Sequence, residues 1–161
     1  KLFNDPIFLD ELYCRDLLRA VPEMVRRTRA LAELALPRSA DTEALVYLRE
    51  SASCLVFGLS QAAVALARAA VEARLREAYA KVPGNTAPAL QDTTLDSLIS
   101  NLSSLFSLSK GRTGLSPEGE RAAREVQRAG NDVLHGRSID AEEALRIFEA
   151  ARLVMRSVAG S

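Results

Sequence analysis

The residues with the clearest chemical potential lie close together in the segment 128–137, RAGNDVLHGR. His135 is the only histidine of the chain, Arg128 stands seven residues before it, and Asn131 stands four residues before it. Because a helix has about 3.6 residues per turn, this spacing places all three side chains on one face. Imidazole exchanges a proton near neutral pH, and guanidinium keeps its charge and fits phosphate geometry. The spacing therefore indicates either acid–base chemistry at a phosphate or a polar helix surface without a chemical role.

The reaction that suits these groups is metal-free transesterification of RNA. His135 would take the proton of an attacking 2′-hydroxyl, Arg128 would balance charge on the phosphoryl oxygens, and Asn131 would orient His135 or the substrate. We assign these three as candidate catalytic residues, and Arg124 and Arg137 as candidate phosphate-binding residues. The reaction needs both an acid and a base, whereas one chain has one histidine. A homodimer that joins two such faces across a shared cleft would supply the second histidine.

Composition and motifs argue against several other chemistries. Two cysteines and one histidine are too few for a zinc site or a disulfide framework, and we expect neither a metal nor a cofactor. No Gly-x-Ser-x-Gly or His-Glu-x-x-His pattern occurs, and GRTG at 111–114 lacks the lysine and the preceding strand of a phosphate loop. A formal net charge of +0 argues against broad electrostatic binding of nucleic acid and leaves room for a local RNA site.

The chain carries no visible targeting or membrane segment. Its longest uncharged run, 51–67, is shorter than a membrane-spanning helix and contains Ser, Gln and Gly. Both cysteines lie in apolar stretches, which fits free thiols in a reducing compartment. We therefore predict a cytoplasmic protein without membrane association.

Proline positions organise the N-terminal part of the chain. Pro6 and Pro22 each suit the first turn of a helix, and proline disrupts a helix interior. We therefore predict one helix at about 6–20 and a second at about 22–36, which ends near Pro37.

Capping residues mark the segments that follow. Asp41 is expected to cap a helix that Gly58 ends, and Ser60 to cap a long Ala-rich helix. A small-residue face on that helix is expected to allow close contact with a neighbour: Ala62, Leu66, Ala69, Ala70 and Ala73. A loop is predicted over 83–93, and Thr94 then begins a Leu-rich helix. Asp140 is expected to cap the last helix, with Glu143 at the acidic position of a capping box. No segment alternates with period two, so the sequence predicts an all-α bundle of about five to seven helices.

The helix that carries the candidate site is clearly delimited. Ser116 caps it, Pro117 occupies its first position, and Gly136 ends it after residue 135. On a wheel of about 100° per residue its core face and its polar face lie nearly opposite each other. The core face comprises Ala122, Val126, Ala129 and Val133, and the polar face Arg124, Arg128, Asn131 and His135. Placing Gly130 and Asn131 within the helix costs roughly 1–1.5 kcal/mol relative to two alanines, which invites a reason.

The motif RAGNDVLHG, followed by the capped helix SIDAEEALRIFEAARLVMRSV, resembles the HEPN superfamily of helical bundles with an Arg-x(4–6)-His motif. Six residues separate Arg128 from His135 here. The branch it resembles is a bacterial domain-of-unknown-function family with an Arg-x-x-Gly-Asn-x-x-x-His pattern and an earlier Ala-Arg-x-x-x-Glu pattern. Ala67, Arg68 and Glu72 match the earlier pattern. The resemblance covers about residues 41–158 and leaves residues 1–38 as an N-terminal helical extension.

The resemblance implies a dimeric, metal-independent endoribonuclease of a toxin–antitoxin or phage-defence system. Carried over by position, Arg128 and His135 are catalytic, Asn131 is the polar residue of the motif, and Arg68 and Glu72 are supporting residues. Products would carry a 2′,3′-cyclic phosphate. The implied partners are RNA, a second copy of the chain, and an antitoxin or a larger parent protein.

One departure from the family motif leaves two other functions open. Ala129 stands where most nuclease members carry the polar residue, and Asn131 comes two positions later. A non-catalytic helical interaction domain of a larger defence or restriction protein predicts that His135→Ala changes little. A nucleotide-binding domain would use the arginines around the motif to hold phosphates.

Overall fold

The computed structural model describes residues 6–32, 42–82 and 93–159, with side chains from residue 14 onward in the first helix. Within these residues the chain forms six helices and one short pair of strands. The helices are α1 (Pro6–Ala32), α2 (Glu43–Phe57), α3 (Ser60–Ala80), α4 (Leu95–Leu108), α5 (Pro117–Leu134) and α6 (Ala141–Ser157), and the strands are β1 (Gly114–Leu115) and β2 (Val158–Ala159). The prediction of an all-α bundle of five to seven helices is confirmed.

Side-chain caps begin four of the helices. Thr42, Thr94, Ser116 and Asp140 each accept a hydrogen bond from the backbone N–H three residues later. The sequence predicts the caps at Ser116 and Asp140 correctly, and it places the start of the Leu-rich helix at Thr94, which is its cap. At α2 the cap is Thr42 rather than the expected Asp41, which lies outside the described residues. A threonine hydroxyl caps a helix in the same way as a carboxylate, so the start of α2 is displaced by one residue.

The junction of α2 and α3 differs from the expectation at one residue. Gly58 ends α2 with a φ of 77°, as predicted, and its N–H donates to carbonyls of the last turn. Ser60, however, is the first residue of α3 and not its cap. Leu59 occupies the cap position, and no side chain caps this helix. The carbonyl of Leu59 already accepts the first hydrogen bond of α3, from the N–H of Ala63, so Ser60 lies within the helix and is not in the cap position.

α1 is one continuous helix, so the predicted break at Pro22 is wrong. Proline keeps a helical φ, and its cost inside a helix arises from the lost N–H and from the crowded carbonyl four residues earlier. That carbonyl belongs to Leu18, a residue that is 71% exposed, so this part of α1 is open to water. Exposure of this part of α1 thus reduces the cost. The predicted stop near Pro37 lies outside the described residues.

α3 is the central helix of the bundle and contacts α2, α4, α5 and α6. Its buried residues cover more than one face: Ser60, Ala63, Val64, Ala67, Ala70, Val71, Ala73, Leu75 and Ala78. The predicted small-residue face is only partly right, because Ala62 is exposed and Leu66 and Ala69 are half-buried. A helix with neighbours on several sides has no single apolar stripe from which its contact face can be identified.

A short antiparallel pair joins the loop before α5 to the chain after α6. Gly114 pairs with Ala159, and Leu115 pairs with Val158. The sequence predicts no strand here, because two residues are too short to show a period of two. The pair fixes the beginning of α5 beside the end of α6, at the end of α5 that lies away from His135.

Candidate functional site

α5 has a buried face and a polar face, as the sequence predicts. The residues of the predicted core face are buried or, for the last, half-buried: Ala122, Val126, Ala129 and Val133. Three further small residues are buried and widen this face: Gly119, Ala123 and Gly130. On the polar face, Arg128 and His135 are exposed, and Arg124 and Asn131 are half-buried. The candidate catalytic residues therefore point away from the core of their own chain.

Gly130 lies where α5 crosses α3, and a side chain would not fit there. A Cβ atom on Gly130 would lie 2.9 Å from Cβ of Arg68 and 3.0 Å from its Cγ. Glycine allows the two helices to approach, and this contact offsets the cost of glycine within a helix. Packing against α3 is therefore sufficient to explain Gly130. The same contact brings Arg68 against the helix that carries the candidate site.

Arg68 and Glu72, the predicted supporting residues, form an ion pair on α3. Nη1 of Arg68 lies 3.9 Å from Oε2 of Glu72, and both side chains are 27% exposed. Glu72 also binds Arg76, with 2.8 Å between Oε1 and Nη2. Nε of Arg68 is buried and has no hydrogen-bond partner among the described residues. The pair thus lies beside the α3–α5 crossing, and its part in catalysis stays a prediction.

Arg128 and His135 occupy the last two turns of α5 and the residue that ends it. His135 is the C-cap, and its backbone N–H donates to the carbonyls of Asn131 and Asp132. Nε of Arg128 donates to the carbonyl of Arg124 at 3.4 Å, which turns the guanidinium toward the beginning of α5 and away from His135. Among the described residues, neither side chain has an acidic partner. Both side chains are therefore open to a ligand, but within one chain they point apart.

Arg124, a predicted phosphate-binding residue, already has carboxylate partners. Its Nε donates to Glu120 at 3.0 Å, and its Nη1 donates to Asp96 of α4 at 3.0 Å. Hydrogen bonding to Glu120, and to a smaller extent to Asp96, raises the pKa of Arg124 above its ordinary value. The side chain therefore ties α5 to α4, and it could hold a phosphate only by exchanging these partners.

Arg137, the other predicted phosphate-binding residue, bridges the end of α5 and the beginning of α6. Nη1 lies 2.9 Å from Asp132, and Nη2 lies 3.2 Å from Glu143. The hydrogen bond that Arg137 donates to Asp132 and the charge of Glu143 raise the pKa of Arg137. The N–H of Glu143 donates to Asp140, which is one of the two bonds of the predicted capping box, whereas the Glu143 carboxylate binds Arg137. Phosphate binding by Arg124 and Arg137 stays a prediction.

A charged groove between α5 and α6 is not among the sequence predictions. Its charged lining residues are Glu118, Arg121, Glu125, Arg146, Glu149, Arg152 and Arg156. Arg146 forms an ion pair with Glu125 across it. Burial, with a contribution from the charge of Arg156, lowers the pKa of Arg152. The charged residues at 118, 121 and 125 recur at helical spacing, which indicates from the sequence that they share one face of α5. Their partners on α6 become apparent only once the helices are packed.

Two further structural findings concern metals and membranes. In residues 6–32, 42–82 and 93–159, no three His, Cys, Asp or Glu side chains lie close enough together to hold a metal ion. None of the helices described over these ranges combines the length and the apolar character needed to span a membrane.

The sequence around the site departs from the branch pattern in a second respect. Only Ala129 separates Arg128 from Gly130, so Gln127 occupies the position at which Arg-x-x-Gly-Asn-x-x-x-His places its arginine. Comparisons with protein-family models, with curated proteins and with solved structures find no match to this chain. The resemblance to the HEPN superfamily accordingly stays a prediction from the sequence, based on the Arg-x(6)-His spacing and on the predicted order of the helices.

Proposed function

We propose that this protein is a metal-independent endoribonuclease of the HEPN type, which acts as a homodimer in a cytoplasmic toxin–antitoxin or phage-defence system. Arg128, Asn131 and His135 are its catalytic residues, and RNA is its substrate. An antitoxin or a larger parent protein is its further partner.

The observation that supports this proposal is the exposure of Arg128 and His135 on one face of α5. Neither has an acidic partner among the described residues, whereas Arg68, Arg124 and Arg137 each bind a carboxylate. A phosphate that approaches this face would therefore meet a guanidinium and an imidazole without displacing an ion pair. These are the two groups that metal-free transesterification requires.

The positions of the three residues along α5 favour a site shared by two copies. Within one chain the guanidinium of Arg128 is turned away from His135. If two α5 helices pack antiparallel about a two-fold axis near Asn131, Arg128 of each copy would lie opposite His135 of the other. This follows because the two residues lie at similar distances on either side of Asn131. The shared cleft would hold two histidines and two arginines around one phosphate.

In such a cleft, one His135 would accept the proton of the 2′-hydroxyl while its oxygen bonds to phosphorus. The bond from phosphorus to the 5′-oxygen would break, and the protonated second His135 would donate a proton to that oxygen. The Arg128 side chains would stabilise the charge that develops on the non-bridging oxygens. The products are a 2′,3′-cyclic phosphate and a 5′-hydroxyl.

Cleavage of a mixed RNA pool in EDTA tests this proposal. We expect wild type to be dimeric and to cleave, and His135→Ala and Arg128→Ala each to lose at least about a hundredfold in rate. Arg112→Ala is the matched control, because Arg112 is also exposed and also donates to a backbone carbonyl, at 3.2 Å, but lies outside α5. A folded wild-type dimer that leaves RNA intact, or cleavage that survives His135→Ala, would overturn the proposal.

The second candidate is a non-catalytic helical interaction module. The carboxylate partners of Arg124 and Arg137 favour it, because those two cations are already neutralised near the motif. It predicts no cleavage by folded wild type and no functional change in His135→Ala, so the same experiment separates the two candidates.

A further inference from the structure

A cavity of about 410 Å³ lies between α1 and the rest of the bundle. None of the candidate catalytic residues lines it. Its apolar wall comes from three helices and comprises Ala30, Leu31, Leu55, Ala141 and Leu145. This volume and this lining are typical of a pocket for a small molecule with an apolar body.

The N terminus of α3 forms one end of the cavity. Leu59 precedes it and offers no side-chain acceptor, and the first α3 residue whose N–H donates to a described acceptor is Ala63. Ser60 lines the cavity and is only 8% exposed, and its hydroxyl has no hydrogen-bond partner among the described residues. The oxygen of this hydroxyl remains accessible through the cavity, so it can donate to a ligand there, and uncapped N–H groups attract anions. Two independent features thus point to an acceptor group at this end.

Arg27 lies at the same end of the cavity. Its Nη1 lies 3.5 Å from the carbonyl of Val56, over the turn at Gly58 that leads into α3. Its Nε lies 3.0 Å from Oε1 of Glu23. The guanidinium therefore places a positive charge beside the uncapped helix N terminus.

The formal charges of the cavity lining cancel, which limits the charge of a ligand. Arg26 and Arg27 are balanced by Glu23 and Glu142. Glu23 binds both arginines, and the hydrogen bond from Arg26 lowers its pKa. The remaining positive potential comes from the helix N terminus, which is equivalent to roughly half an elementary charge. A single oxyanion fits this potential better than a polyanion does.

We infer that this cavity binds a small amphipathic oxyanion. A carboxylate or phosphate monoester head would accept hydrogen bonds from the Ser60 hydroxyl and the first N–H groups of α3. An apolar body would lie against Leu31, Leu55 and Leu145. The ligand would contact α1 and three further helices, so its binding would hold α1 against the bundle. The inference is independent of the proposed nuclease activity.

Titration calorimetry of the full chain with three probes tests this inference. Octanoate and octyl phosphate carry the two head groups, and octanol has the same apolar body without a charge. We expect at least one of the two anions to bind saturably and at least tenfold more tightly than octanol. The head group that binds identifies the class of natural ligand.

Ser60→Ala removes the proposed donor, and Ser53→Ala is its matched control. Ser53 is exposed on α2, and its hydroxyl bonds a carbonyl of its own helix. We expect Ser60→Ala to weaken anion binding about tenfold, the effect of losing one hydrogen bond to a charged group, with octanol unaffected. Thermal unfolding verifies that both variants fold. Equal binding of octanol and the anions, binding unchanged in Ser60→Ala, or no saturable binding by any probe would overturn the inference.

Discussion

The inner and outer faces of α5, which its C-cap His135 closes, belong to one helix and are subject to different constraints. On the inner face, Gly130 packs so closely against Arg68 that one added carbon atom would collide. On the outer face, Arg128 and His135 are exposed and lack acidic partners among the described residues. Packing therefore explains the residue types of the inner face and leaves those of the outer face unexplained. Residues that stability does not explain are the appropriate candidates for function.

Gly130→Ala should have the largest effect on stability. Helix propensity alone predicts a gain of about 1 kcal/mol, whereas the collision with Arg68 predicts a loss of roughly 1–3 kcal/mol in the free energy of unfolding. Urea denaturation measures the sign directly. In an Arg68→Ala background, which removes Cγ and the atoms beyond it, the loss should be smaller. A more stable Gly130→Ala protein would show that the inner face is not tightly constrained.

Arg124→Ala should have the next largest effect. Arg124 binds carboxylates on two helices, and at 39% side-chain exposure each pair is partly screened by solvent. We expect a loss of about 0.5–1 kcal/mol in the free energy of unfolding. Arg128→Ala is the matched comparison. Arg128 lies one turn further along the same face without an acidic partner among the described residues, so its loss should lower the free energy of unfolding by less. Equal losses in urea denaturation would contradict the distinction between a structural and an available arginine.

His135→Ala should change stability by no more than about 0.5 kcal/mol, as for an exposed residue without partners. The RNA-cleavage rate should show the opposite order, with His135→Ala the most damaging of the variants. Measuring the free energy of unfolding and the RNA-cleavage rate for the same variants therefore distinguishes the residues that stabilise the fold from those that act in cleavage. Destabilisation by more than about 1 kcal/mol would give His135 a structural role.

The smallest effect concerns α1 and depends on pH. Arg26 lowers the pKa of Glu23 below its ordinary value of 4.5, so the folded state binds this proton less readily than the unfolded state. The stabilisation of the folded state by ionised Glu23 is complete above pH 4.5, the ordinary pKa, and is lost as the pH falls through the lowered pKa of the folded state. We expect hydrogen exchange in α1 to quicken, relative to α5, as the pH falls from about 6 to about 3. In Glu23→Gln this additional pH dependence should be absent, and its persistence would exclude Glu23 as the cause.

Sequence reasoning predicted those features that depend on local rules. The caps at Thr94, Ser116 and Asp140 and the end of α2 at Gly58 follow from residues within one turn. The outward direction of Arg128 and His135 follows from helical periodicity, because the apolar residues of α5 already occupy the other face. Periodicity and capping residues likewise predict a bundle of five to seven helices, although the expected break at Pro22 divides α1 into two.

The features that the sequence did not predict depend on contacts between distant segments. The sequence shows that Gly130 lowers the helix propensity of α5. The reason for glycine at this position is the close contact with Arg68, which lies on another helix. The break at Pro22 was wrong because the penalty depends on the exposure of the carbonyl four residues earlier. The partners Asp96 of Arg124 and Glu143 of Arg137 likewise required the packed helices. The proposed catalytic cleft would also need a second copy of the chain, which the sequence of one copy cannot reveal.

The β1–β2 pair has a consequence for the kinetics of folding. It joins residues that are about forty positions apart, and closing so long a loop is entropically costly for a contact of two residues per strand. The pair can form only after α5 and α6 have packed and brought their ends together. It should therefore close last during folding and open first under native conditions. Its amide protons provide an early report of any event that separates α5 from α6.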